Sequence, residues 1–242
     1  MSPRWQGCLN WRLDMMWEQA GILALALVGA YTLGSVPTAY LLARWAKGID
    51  LRRYGSGSVG ASNAAAHVGK AALIGVAVVD IAKGALPVVL LRWLGVSPEV
   101  QALAGLAAVV GHNWSLYLRF TGGRGVATAS GAVLGLGVPV ALMAFFAGFL
   151  LVGYLRKESA LWVGVGVVLV PGAAWLLAQP SAVVLACVGA TVLLGAKRLT
   201  GNWQPMVPGH SPARVLLYRL VYDRDIRDRM QWVTRTPPAQ VS

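Results

Sequence analysis

AGILALALVGAYTLGSVPTAYLL, residues 20–42, carries no charged side chain. At about 1.5 Å per residue it is long enough for a hydrocarbon core of about 30 Å, which takes about 20 helical residues. Apolar runs of the same kind recur at 71–91, 100–118, 126–152, 161–178 and 182–196. A soluble core does not need such a run six times over. Composition agrees: 57% of residues are hydrophobic and 12% charged, against about 25% charged in soluble domains. Mean hydropathy is +0.61. The chain reads as an all-α integral membrane protein.

Net charge is +12. In a soluble chain that value would suggest nucleic acid, but here the basic residues fall mainly between the spans. They read as positive-inside topology and attraction to anionic headgroups, so no nucleic-acid partner is expected. Cys8 and Cys187 are far apart and suit neither a disulfide framework nor a metal site. No metal or other cofactor is expected. The first apolar run is too long for the core of a cleavable signal.

Loop charges set the topology. The gap 47–70 holds Lys47, Arg52, Arg53 and Lys70 against Asp50 and reads as cytoplasmic, which places residues 1–19 outside. The gap 92–99 is short and neutral, and the next, with Arg119 and Arg124, is basic again. A single crossing by 126–152 would put Arg156, Lys157 and the basic tail outside. Pro139, beside Gly135 and Gly137, resolves the conflict if two half-helices enter and return, as broken helices buried in protein can. The expected fold has about seven transmembrane or half-membrane helices, N-terminus outside and C-terminus cytoplasmic. Its parts are the segment 1–19, a membrane domain over 20–200 and a basic tail over 201–242. In that tail, residues 214–232 mix apolar side chains with five arginines and three aspartates. They read either as an amphipathic helix on the cytoplasmic leaflet or as an ordinary soluble helical tail.

Two cytoplasmic loops carry the chemistry. The first is GSGSVGASN, residues 55–63. Gly55, Gly57 and Gly60 let backbone approach an anion, and Ser56, Ser58, Ser62 and Asn63 add donors. Its match to GxGxxG is weak, because a membrane helix rather than a strand precedes it. The alternative is a flexible Gly/Ser linker. The second is GHNWS, residues 111–115, followed by RFTGGRGV, residues 119–126. Gly122 and Gly123 beside Arg124, at a helix start, form a second anion cradle, with Arg124 as a plain orientation charge as the other reading. His112 is either a structural hydrogen-bonder or an acid–base group. Asp80 and Lys83, three apart inside an apolar helix, suit an ion pair that locks helix packing; Lys83 is also open to a direct role.

These residues resemble the bacterial membrane glycerol-3-phosphate acyltransferases that use an acyl-phosphate donor, the PlsY family. The resemblance runs over about 34–132 and more weakly to 199. Its first block is similar at Gly34-Ser35-Val36-Pro37, Gly48 to Arg52, Gly55 to Asn63, Gly69-Lys70 and Asp80 to Gly84. The second is similar at Gly111-His112 and Phe120 to Gly131. Departures are Ser58 for asparagine, Ala66 (beside His67) for arginine, and Arg124 for lysine. Arg198-Leu199 matches the end of a third block whose histidine and asparagine are absent just upstream; Asn202 and His210 follow downstream.

The resemblance implies the seven-helix fold and acyl transfer from acyl-phosphate to glycerol 3-phosphate in phospholipid synthesis, at the bacterial inner membrane. It implies no covalent nucleophile, with the donor phosphate taking the alcohol proton. Such chemistry needs mainly positioning and charge neutralisation. Ser56, Ser58 and Asn63 are expected to bind one phosphate, Gly122, Gly123 and Arg124 the other. Gly55 and Gly57 shape the first cradle, and Lys83, His112 and Asp80 support the site. The acyl chain is expected along the apolar helices among membrane lipids. A second reading, prompted by the departures, is a relative that binds a phosphorylated lipid or metabolite without this catalysis. A transporter would need paired discontinuous helices about a midplane site, and no internal repeat suggests one.

Overall fold

Proline and glycine decide where the apolar runs break. The computed structural model describes residues 20–203, 205–206 and 209–234. The segment 1–19, expected outside, lies beyond the described residues. Helix α1 (20–34) stops at Ser35, and α2 (Thr38–Lys47) begins after Pro37, which lacks an N–H and restricts the residue before it. The run 20–42 is therefore kinked, and its helix continues to Lys47. Gly48 ends α2 in the left-handed region (φ +68), its N–H donating to the Arg44 carbonyl.

Helices α3 (Ala61–His67), α4 (Ala71–Trp93) and α5 (Pro98–Asn113) follow. The run expected over 100–118 ceases to be α-helix at Asn113; the rest is loop with a 3-10 turn at Leu116–Leu118. The run 126–152 divides at the expected place into α6 (Val126–Gly135) and α7 (Val140–Leu155), with Gly137 at φ +77 and Pro139 as N-cap. α6, about 15 Å long at 1.5 Å per residue, reaches only half way across a bilayer core. α8 (Ser159–Leu176) and α9 (Ser181–Thr200) complete the bundle. Among the described residues four helices are long and apolar enough to cross a membrane: Ala20–Lys47, Ala71–Trp93, Ser159–Leu176 and Ser181–Trp203.

The bundle is held by small residues that bring backbones together, as is usual where lipid tails supply no hydrophobic contrast. A Cβ on Gly84 of α4 would fall on the Thr128 carbonyl of α6, and one on Gly131 of α6 on the Ile81 carbonyl of α4. Gly34 meets Ala108 and Gly111 meets Tyr31 in the same way, joining α1 to α5. Glycine inside a helix costs about 1 kcal/mol relative to alanine, so close packing is what favours it here. Gly131→Leu is accordingly expected to drive α4 and α6 apart and destabilise the bundle by about 3 kcal/mol, the upper range for overpacking. Thermal unfolding in mild detergent measures this, and a parental midpoint would contradict it.

The tail corrects one expectation. Residues 214–232 are not one amphipathic helix but α10 (Pro212–Tyr222) and the short α11 (Arg229–Val233), broken at Asp223 in the left-handed region (φ +56). Val215, Arg219, Arg224, Asp225 and Trp232 are buried. Arg224 Nη2 lies 3.4 Å from Glu158, just beyond α7, and Asp223 pairs with Arg124, just before α6. Both ends of the α6–α7 hairpin therefore meet the same turn of the tail, at one end of the bundle.

Candidate functional site

The first loop is folded, not a flexible linker. Asp50 starts it by accepting the Arg52 N–H (3.1 Å) and pairing with its guanidinium (Nη2 to Oδ2 2.6 Å). The Arg52 hydrogen bond, outweighing partial burial, holds the Asp50 carboxyl below the usual carboxylate range. Gly55 and Gly57 take φ of +53 and +66, which favours glycine. Asn63 Nδ2 donates to the carbonyls of Leu51 (3.3 Å), Tyr54 (3.0 Å) and Ser58 (2.9 Å). Expected as a phosphate donor, this amide group is instead occupied in shaping the loop. Ser56 is partly exposed, and its Oγ accepts the Ser58 N–H at 3.3 Å.

The second loop packs on the end of α5. The Gly122 N–H donates to Asn202 Oδ1 and the Gly123 N–H to the His112 carbonyl, each at 3.0 Å. Both were expected as free donors to an anion. The correction is that these N–H groups are bonded within the protein and the glycines serve close approach: a Cβ on Gly122 would meet the His112 carbonyl, and one on Gly123 the His112 ring. Arg124 is partly buried, with Nε on the Asp223 carboxylate and Nη1 buried without a hydrogen-bond partner among the described residues.

Asn202 joins the two loops. Its Nδ2 donates at 3.0 Å to both the Gly57 and Gly122 carbonyls, while its Oδ1 accepts from Gly122 N–H and, at 2.6 Å, from Lys197 Nζ. Val59 N–H adds a direct bond to the Gly122 carbonyl (3.2 Å). Asn202 sits in the left-handed region between Gly201 and Trp203, which share that conformation. Three such residues in a row turn its carboxamide inward after α9. Lys197, fully buried, also donates to the Asn113 carbonyl and lies over the Trp114 ring. Sequence reasoning gave Lys197 no role and found no spacing argument for Asn202. The available signals were a lysine at the end of an apolar helix and a Gly-Asn turn directly after it.

The intramembrane ion pair is present: Lys83 Nζ is 2.9 Å from Asp80 Oδ1, both buried. Lys83 also donates to the Val36 carbonyl (2.9 Å), an acceptor at the Pro37 kink. His112 Nδ1 lies 3.7 Å from Asp80 Oδ1. The three thus connect α4, α5 and the α1–α2 break. They lie behind the second loop, through His112, rather than among its exposed groups. His67 packs its ring on Tyr54 (centroids 5.4 Å apart), with Nε2 close to Gly55. Among the described residues no group of three or more His, Cys, Asp or Glu side chains could hold a metal ion.

The arrangement brings together the partly exposed Ser56, the buried Ser58, a guanidinium with one buried N–H group lacking a partner among the described residues, and two loops fixed to one carboxamide. Directly after Arg124 an apolar groove begins, lined by Val126, Ala129, Val133, Phe146, Ala190 and Leu194 among others. A charged centre beside a greasy groove suits a substrate with a phosphate head and a hydrocarbon tail.

The family described as Glycerol-3-phosphate acyltransferase matches residues 24–204. The chain is 35% identical over 223 residues to glycerol-3-phosphate acyltransferase 4 of Dehalococcoides mccartyi (strain CBDB1), covering 90% of this chain and 96% of that protein. It is similar to the crystal structure of PlsY (YgiH), an integral membrane glycerol 3-phosphate acyltransferase, in its glycerol 3-phosphate form. There the TM-score is 0.67 and identity 28%, over 73% of this chain and 88% of that one. The lysophosphatidic acid form gives a TM-score of 0.68 and 25% identity, over 87% and 97%.

Proposed function

This chain belongs to the glycerol-3-phosphate acyltransferase family, and on that premise we propose that its joined loops hold two phosphates side by side, one from an acyl-phosphate donor and one from the acceptor. It is an integral membrane enzyme that acylates glycerol 3-phosphate for phospholipid synthesis. In the proposed reaction the glycerol 1-hydroxyl oxygen attacks the acyl carbonyl carbon of an acyl-phosphate. The bond from that carbon to the phosphate oxygen breaks, and the departing phosphate takes the hydroxyl proton. Products are 1-acyl-glycerol 3-phosphate and inorganic phosphate. The donor is already activated, so the protein supplies position and positive charge.

The observation that carries this reading is the Asn202 carboxamide bonded to Gly57 and Gly122 at once, which makes one site of two loops far apart in sequence. Ser56 and Ser58 serve one phosphate and Arg124 the other, with Gly55, Gly57, Asn63, Gly122 and Gly123 shaping the walls. Lys197 ties Asn202 to the end of α5 through the Asn113 carbonyl, and Asp80, Lys83 and His112 hold the helices beneath. The donor's chain occupies the groove from Val126 to Leu194. The reading of a relative that binds without catalysis rests on the sequence departures at Ser58, Ala66 and the third block, and no structural observation is added to them.

The site opens to the cytoplasm in this account, with the C-terminus inside, residues 1–19 outside and the chain in a bacterial inner membrane. Seven membrane segments follow if the kinked α1–α2 counts as one and α6 and α7 as a re-entrant pair. Both loops and the tail meet at one end of the bundle, and that end carries the basic gaps.

The fate of radiolabelled glycerol 3-phosphate tests the function. With protein in vesicles and palmitoyl phosphate present, label is expected in lipid; label merely retained by the protein, or moved across the membrane, overturns the assignment. Ser56→Ala is expected to lower turnover about tenfold, the loss of one hydrogen bond to a charged group. Unchanged kinetics would remove Ser56 from the site.

A further inference from the structure

The Arg124 guanidinium is held on one side and unpartnered on the other. Its Nε lies 2.8 Å from Asp223 Oδ2 and 2.6 Å from Oδ1, while Nη1 is buried without a partner among the described residues. A buried N–H of a charged group is costly to leave without an acceptor. An acceptor that arrives with the substrate resolves that cost. A guanidinium is a planar fork, so fixing one edge fixes where the other points.

The carboxylate that fixes it comes from the tail, about 100 residues further on, and the turn that carries it is rigidly built. α10 ends at Asp223, whose N–H donates to the Arg219 carbonyl at 3.0 Å. Arg219 then grips Asp225 with two bonds, Nε to Oδ1 at 2.7 Å and Nη2 to Oδ2 at 2.8 Å, and both residues are buried. Arg198 of α9 donates to the Leu220 carbonyl at 2.8 Å, and Arg224 reaches Glu158 in the α7–α8 connection. A flap competing with substrate for Arg124 would need freedom to leave, and a turn tied to α9 and to the α7–α8 connection lacks it.

We propose that Asp223 is a positioning residue for acyl transfer: it holds Arg124 by Nε so that Nη1 faces the substrate phosphate. This rests on the assignment of Arg124 to a phosphate and adds the tail to the site as a fixed wall. Asparagine at 223 would keep shape but lose the charge that orients the fork. Lysine at 124 is a point charge with no fork to orient, so it does not depend on the carboxylate.

The test is steady-state kinetics of full-length protein in lipid for both phosphate substrates. Asp223→Asn is expected to raise KM for one substrate by about tenfold, the scale of a charge-assisted hydrogen bond, and leave the other unchanged. Added to Arg124→Lys, the same change should shift that KM by less than about twofold, because residues acting through one contact are not additive. Asp223→Asn with parental KM overturns the proposal. So does a lowered KM, the mark of an inhibitory latch, or an equal loss in the Arg124→Lys background, the mark of a merely structural tail. Arg124→Ala with parental turnover would remove the phosphate assignment and this role with it. An impaired Arg124→Ala beside a silent Asp223→Asn would remove the positioning role alone.

Discussion

Asn202→Asp should abolish nearly all acyl transfer while leaving the helices folded. The substitution keeps the shape of the side chain and the oxygen that accepts from Lys197 and Gly122. It replaces the amide donor, which lies 3.0 Å from both the Gly57 and Gly122 carbonyls, with a second oxygen. Two hydrogen bonds become two repulsions between acceptors, and the loops move apart. A displacement of about 1 Å in a reacting geometry costs about a hundredfold in rate. The apolar clusters that hold α4 to α9 do not include this residue, so thermal unfolding in detergent should change little. Turnover within a factor of about two of the parent would show that joining the loops is not required.

Arg124→Ala should lower turnover by about 10²–10³, the range for removing one preorganised donor to developing charge. Two effects combine. The substrate phosphate loses the unpartnered guanidinium N–H, and Asp223 becomes a partly buried carboxylate without its ion-pair partner beside the place where that phosphate binds. The second effect repels the substrate as well as failing to hold it. Arg124→Lys keeps the charge and should be affected far less. Kinetics of the purified variants with both phosphate substrates separate the two, and equal rates for the alanine and lysine variants would count against a charge role.

The membrane helices were legible in the sequence because each is an apolar run bounded by charge or by proline. The break at Pro139 was read from loop charge together with Pro139, Gly135 and Gly137, in agreement with the fold that the family resemblance implies. The kink at Pro37 was not anticipated, since its neighbours are as apolar as the rest of the run. Both glycine loops were legible as candidate phosphate sites, but which of their donors are bonded within the protein was not. Counting donors along the chain could not show that the Gly122 and Gly123 N–H groups face Asn202 and His112, or that Asn63 faces three carbonyls. The Asn63 acceptors are only 5 to 12 residues away and are met because the loop turns back, whereas the Gly122 acceptor, Asn202, lies across the fold. Lys197, Asn202 and Asp223 stayed hidden for the same reason. Each matters through a partner about 80 to 150 residues away, and no local pattern marks such a pairing.

The most direct test of the whole account is acyl transfer by the purified protein in lipid, supplied with palmitoyl phosphate and glycerol 3-phosphate. The account predicts lysophosphatidate and one inorganic phosphate per acyl group transferred, both lowered in step, about tenfold in Ser56→Ala and by about 10²–10³ in Arg124→Ala. Lysophosphatidate formed only from a thioester donor, or formed from palmitoyl phosphate at parental rates by both variants, would contradict it.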